Sequence, residues 1–95
     1  MAGYVVVNLE VTDADKFAEY ADRIVEVVDA HGGKYIVRSD SVEVITGDWT
    51  PDRVVVIEFE SVERARGWIN SPEYRELVDL RLSGANSSMV IVEGV

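Results

Sequence analysis

The chain contains no cysteine and a single histidine. Without cysteine there is no disulfide framework, no thiol nucleophile and no cysteine-ligated zinc or iron–sulfur site. One histidine excludes histidine-rich metal centres such as a three-histidine catalytic zinc. Basic residues are scarce, 9 against 18 acidic ones, for a net charge of −9. Such a surface repels phosphate backbones, so nucleic acid is excluded as a partner. Apolar runs such as Val54 to Ile57 are far too short to cross a membrane. Met1 to Tyr4 carries no basic stretch of the kind that opens a signal peptide, so a cytoplasmic protein is expected. There is no G-x-G-x-x-G, no phosphate-binding loop, no nucleophile elbow and no cluster of metal ligands. Neither a cofactor nor a metal is expected.

What remains is ordinary globular composition: 95 residues, 47% apolar and 28% charged. One domain over residues 1–95 is expected. A chain of 10.6 kDa that folds alone exposes roughly 5,500 Å² and hides about 64% of its unfolded surface, which is modest for a stable core.

Tyr4 to Val11 is rich in β-branched residues and reads as a strand. Thr12 is placed to cap a helix, with Asp15 three residues on. Phe17, Tyr20, Ala21, Ile24, Val27 and Val28 then fall at helical spacing, and Gly32-Gly33 ends the helix. Lys34 to Arg38 reads as a second strand, interrupted at Ser39-Asp40 and resumed over Val42 to Ile45. Gly47 to Asp52 is turn-rich, and Arg53 to Glu60 is the strongest strand. Ser61 caps a helix with Val62, Ala65, Trp68 and Ile69 inward. Ser71-Pro72 starts another, with Tyr74, Leu77, Val78 and Arg81 on one side. Ser83 to Asn86 reads as a loop and Ser88 to Glu93 as the last strand.

The order β-α-β-β-α-β predicts an α+β, ferredoxin-like fold, a four-stranded antiparallel sheet with helices on one face. Strand alternation puts Val5, Val7, Leu9, Val55, Ile57 and Phe59 under the helices. The opposite face holds Tyr4, Val6, Asn8, Val54, Val56 and Glu58, too apolar to face water as one patch. A homodimer through that open face, two sheets forming one α/β barrel, is the expected solution. The alternative is a monomer whose loops cover the face.

Four stretches now stand together: Ala30 to Arg38, Val42 to Trp49, Arg53 to Phe59 and Ser71 to Tyr74, with Arg81 and Ile91 to Val95. In combination they resemble a bacterial family, domain-of-unknown-function family thirteen-thirty, of the dimeric α/β-barrel superfamily. The resemblance spans essentially the whole chain and implies the ferredoxin-like fold and the dimer. It supplies no activity. Two positions depart from the family pattern: Ser39-Asp40 replaces a glycine pair, and His31 precedes Gly32-Gly33.

Several side chains are candidates for chemistry. His31 alone has an ordinary pKa near neutrality. It is either a cap on the helix C-terminus or a general acid–base group. Glu58, between Ile57 and Phe59, is the other candidate base. Arg38 ends the second strand, on the face alternating with Tyr35 and Val37. It either pairs with Glu43 or Glu58 or holds an anionic ligand. Tyr74 and Arg81 lie seven residues apart, on one side of a helix, as a phenol and a fixed cation or as packing residues. Trp68 is core or cavity wall. Trp49, in a polar loop, covers the core edge, joins an interface or walls a ligand.

Two kinds of function fit. One is a small-molecule site between helices and sheet, walled by Phe17, Tyr20, Trp68 and Tyr74. His31, Arg38 and Arg81 would orient an anionic or carbonyl ligand there. Such a site either binds without turnover or belongs to a cofactor-free, monooxygenase- or isomerase-like enzyme acting on a small organic acid or carbonyl compound, by fold-level analogy with the superfamily. The other is a non-catalytic binding or interaction module whose dimer is the functional unit.

Overall fold

The strands and helices form in the expected order in the structure, a computed structural model that describes residues 1–95. Strand β1 is Gly3–Val11, helix α1 Ala14–Ala30, β2 Lys34–Ser39, β3 Arg53–Phe59, α2 Val62–Ile69, α3 Pro72–Gly84 and β4 Ala85–Glu93. The sheet order is β2-β3-β1-β4, with every neighbouring pair antiparallel. This is the ferredoxin-like arrangement.

The local chemistry follows the sequence closely at most helix ends. Ser61 and Ser71 cap α2 and α3, accepting from the backbone N–H of Arg64 at 3.1 Å and of Tyr74 at 3.2 Å. Gly32 takes a left-handed φ of 77°, while Gly33 N–H bonds Val28 C=O and Gly32 N–H bonds Asp29 C=O. That pair of bonds closes the α1 C-terminus.

Four expectations need correction. The cap of α1 is Asp13, which accepts from Lys16 N–H at 3.1 Å, and not Thr12. Thr12 instead donates its backbone N–H to Gly84 C=O at 2.9 Å. Val42 to Ile45 is not a strand: Ser41 N–H donates to Ser39 Oγ at 3.0 Å, a local turn that leads the chain off the sheet. The expected loop at Ser83–Asn86 is absent, because α3 runs to Gly84 and β4 begins at Ala85. A Cβ on Gly84 would lie 2.7 Å from Phe17 N, so only glycine lets α3 approach α1 this closely.

The fourth correction concerns β2. Tyr35 pairs with Ile57 but Val37 pairs with Val56, so Ile36 is an extra residue. This bulge reverses the strand's phase. Arg38, opposite Val55, therefore lies on the same inner face as Tyr35 instead of alternating with it.

The core sits between sheet and helices. Val5, Val7, Leu9, Val55, Ile57 and Phe59 pack against Phe17, Tyr20, Ile24, Val28, Ala65, Trp68 and Leu77. The other sheet face is open. Across it Val37, Val56, Val6 and Val90 align in one row through all four strands. The row is flanked by Ser39-Val54-Asn8-Ser88 on one side and Lys34-Glu58-Tyr4-Val92 on the other. The surface totals 6104 Å², about a tenth more than a compact monomer of this mass exposes.

Candidate functional site

The helix–sheet layer is not completely filled. A cavity of about 60 Å³ lies between α1, α2 and α3 and the inner sheet face. Its floor crosses the sheet from Tyr35 and Arg38 on β2 to Met89 on β4, three interstrand spacings or about 14 Å. Phe17, Tyr20 and Ile24 of α1 and Trp68 of α2 form the roof. At the α1 and β2 side the cavity meets an open cleft of about 630 Å³. Ala21, Arg38 and Arg53 belong to both spaces and so mark the mouth.

Fourteen residues line the inner cavity, and the only charged ones are Arg38, Arg53 and Arg81. No carboxylate lines the cavity with them, and Asp22 and Asp40 line the outer cleft beside Arg38 and Arg53 without pairing to either within 4 Å. The one ion pair within 4 Å in the protein is Arg64–Glu60, at 3.8 Å on the exposed surface. Neither Glu43 nor Glu58 pairs with Arg38. Instead the arginines lie against rings. Arg38 is 5.0 Å from the Tyr35 centroid and Arg53 5.3 Å from that of Phe17.

The β4 end is built by helical spacing. Tyr74 and Arg81 share one side of α3, and the Arg81 guanidinium donates to the Tyr74 hydroxyl, but only Arg81 lines the cavity and Tyr74, expected as part of its wall, does not. That hydroxyl lies 3.9 Å from Met89 Sδ. Trp68 packs against Tyr74 at 4.6 Å between centroids and is 1% exposed. Two donors here meet no acceptor of the protein: Trp68 Nε1 and Arg81 Nε, both buried.

The phenols are held neutral. Burial pushes the Tyr20 hydroxyl well above its ordinary value, against the pull of the Arg81 charge and hydrogen bond. Burial raises Tyr35 also, against the pull of Arg38. No histidine or carboxylate lines the cavity. The site is therefore equipped to attract an anion and donate hydrogen bonds, and holds no side-chain proton acceptor suited to neutral pH. No group of three acidic or histidine side chains is placed to hold a metal ion.

The other sequence candidates lie elsewhere. His31 caps α1, with Nδ1–H donating to Val27 C=O at 2.9 Å, outside the cavity. Glu58 is on the open sheet face and accepts from the Tyr4 hydroxyl at 3.1 Å, which raises the Tyr4 pKa. Trp49 stands 61% exposed on the β2–β3 loop, away from the cavity. Arg53 is the lining residue that sequence reasoning overlooked. The signal was present: the inward series Val55, Ile57, Phe59 extends back by two to Arg53.

None of the curated proteins matches this sequence. Among solved structures the chain is similar to RPA0582 of Rhodopseudomonas palustris, a protein of unknown function. The identity is 20%, the TM-score 0.79, and coverage 99% of this chain and 82% of that one. It is also similar to SnoaB of Streptomyces nogalater, a cofactor-independent oxygenase, at 10% identity and TM-score 0.72, covering 99% and 93%. A third is a dimeric ferredoxin-like protein of unknown function from Thermobifida fusca, at 13% identity and TM-score 0.68, covering 99% and 92%. At these identities the likeness is one of fold. The sequence itself matches over residues 2–95, and the chain belongs to the family described as "Domain of unknown function (DUF1330)".

Proposed function

We propose that this protein binds a small organic anion with an apolar body, in the cavity between its helices and sheet, and does so as a homodimer. The observation that carries the reading is the lining. Three arginines stand in an apolar cavity without one carboxylate, in a chain with twice as many acidic as basic residues. Unpaired cations are costly to desolvate, and a ligand carboxylate offsets that cost through charge-assisted hydrogen bonds. Arg38 and Arg53, shared with the outer cleft, receive the charged group. The apolar interior takes the body. A cavity of 60 Å³ holds roughly four to six water-sized groups, at about 10–15 Å³ each. That fits a short chain or small ring fragment.

The binding test is direct. Pentanoate should bind saturably in heteronuclear NMR titration, shifting amides of β2, β3 and α1. Pentanamide, of equal size and no charge, should not. Equal binding of the two would remove the anion from the reading.

The dimer rests on the open face. The valine row is central and its polar flanks are peripheral, the layout of an interface between copies. The excess surface of the single chain and the dimeric Thermobifida fusca neighbour support it.

Catalysis is a second reading, favoured by the fold likeness to SnoaB, a cofactor-independent oxygenase. That likeness is weak warrant for activity. With no base lining the cavity, such a reaction would draw on a substrate already acidic enough to arrive ionised. The arginines would then stabilise its charge. Any turnover of a bound acid under air, followed by mass spectrometry, separates this reading from simple binding.

A further inference from the structure

The two ends of the cavity differ in what they ask of a ligand. At the mouth, Arg38 and Arg53 are open to the outer cleft and offer full charges with freely approachable N–H groups. At the inner end, Trp68 Nε1 and Arg81 Nε are buried donors with no acceptor among the protein's own atoms. Trp68 is 1% exposed, and buried indole N–H groups ordinarily find a partner. Both residues line the cavity. The Tyr74 oxygen accepts from a different N–H of Arg81 and leaves Nε without a partner. These donors point to an oxygen that the ligand brings.

We infer that the natural ligand is an oxo acid: a carboxylate held at the mouth by Arg38 and Arg53, and a second, carbonyl-type oxygen received by Trp68 Nε1 and Arg81 Nε at the inner end. The inference rests on the anion-binding reading above and narrows it. A carbonyl or enolate oxygen suits the pair because it accepts from both donors and has no proton of its own to place. Arginine never deprotonates and the indole offers only its N–H, so a ligand hydroxyl donating a proton has no acceptor in this pair. The stretch between the two ends is apolar, lined by Leu9, Phe17, Tyr20 and Val55. Probes with two or three methylenes between carboxylate and oxo group stay within the roughly four to six groups the space accepts.

Matched probes test this on the intact protein. 4-Oxopentanoate and 5-oxohexanoate are compared with pentanoate and hexanoate. At least one oxo acid should bind about five- to tenfold more tightly than its parent acid, the effect of gaining one or two buried hydrogen bonds. The indole N–H resonance of Trp68 reports the inner end without any substitution. It should move downfield with the oxo acid and stay in place with the parent acid. The chain's other tryptophan, exposed Trp49, serves as the internal control. In Trp68→Phe the preference for the oxo acid over its parent acid should fall to near one, read as a ratio within the variant so that any change in the apolar wall affects both probes alike. If that variant fails to fold, the resonance decides alone. Equal affinities with an unmoved Trp68 resonance overturn the oxo-acid inference and leave anion binding intact. Failure of all four acids to bind overturns the anion-binding reading itself.

Discussion

Arg81 donates a hydrogen bond to the hydroxyl of Tyr74, two turns earlier on the same helix, and this holds the Arg81 side chain at the β4 end of the cavity. Tyr74 is buried, and its ring also stacks beside Trp68. One helical spacing thus links the cavity's deepest cation to its aromatic wall.

Tyr74→Phe removes that acceptor and leaves a partly buried guanidinium N–H without a partner. The expected loss is about 1–3 kcal/mol. Thermal unfolding should show a midpoint lower by roughly 4–8 °C per kcal/mol in a chain of this size. An unchanged midpoint would mean that Arg81 finds another acceptor at no cost.

Arg53→Met tests the mouth. The Arg53 guanidinium meets the Phe17 ring and no carboxylate, so its loss should cost no more than about 1 kcal/mol of stability. Affinity for pentanoate should fall about tenfold, the worth of one charge-assisted contact. Calorimetric titration of parent and variant supplies the comparison.

Val56→Asp puts a charge in the middle of the valine row on the open face. Sedimentation equilibrium should report a dimer for the parent protein and a single chain for the variant, with the far-ultraviolet circular dichroism retained. A variant that stays dimeric would relocate the interface.

Gly84→Ala sets a methyl group against the backbone of Phe17, 2.7 Å from its nitrogen. Backbone cannot give way as a flexible side chain does, so about 1–3 kcal/mol of stability should be lost. Chemical denaturation at constant pH measures it. An unchanged midpoint would show that α1 and α3 can separate freely.

Alkaline titration reads the phenols. Three of the chain's four tyrosines, Tyr4, Tyr20 and Tyr35, titrate above the ordinary value of 10.0. In the native protein they keep protons that the unfolded chain has already released. Stability is therefore level below pH 10 and falls as pH rises beyond it. Tyr20→Phe should flatten that decline. Phenolate absorbance that reached half its full amplitude at about pH 10 in the folded protein would contradict the burial of Tyr20 and Tyr35.

Much of this was legible in the sequence because two periods do most of the specifying. The period of two in Val5-Val7-Leu9 and Val55-Ile57-Phe59 separates the sheet faces, and helical spacing brings Tyr74 and Arg81 to one side. Ser61, Ser71 and Gly32-Gly33 mark helix ends by their own hydrogen-bonding and conformational preferences. The bulge at Ile36 was not legible. Lys34 to Ser39 contains no glycine or other break, and the extra residue exists only through the register with β3. Since that bulge turns Arg38 inward, an essential cation of the mouth was assigned the wrong face. Similarly, Val42 to Ile45 has the composition of a strand, and the turn at Ser39 leads it away. His31 and Glu58 stood out for their chemistry, yet a helix cap and a position on the open face use them elsewhere.

The arginine-lined mouth sits inside a molecule whose exterior charge is strongly of the opposite sign. An approaching anion is thus repelled at long range and attracted only within the last few ångströms. Added salt screens the outer repulsion over a Debye length of about 8–10 Å, while contacts with the half-buried Arg53 and Arg81 are shielded less. Association should therefore quicken with ionic strength, the reverse of ordinary electrostatic steering. Under the proposed anion binding, the same field would act as a filter on valence, letting singly charged molecules pass at small cost and turning polyphosphates or tricarboxylates away before shape is ever consulted.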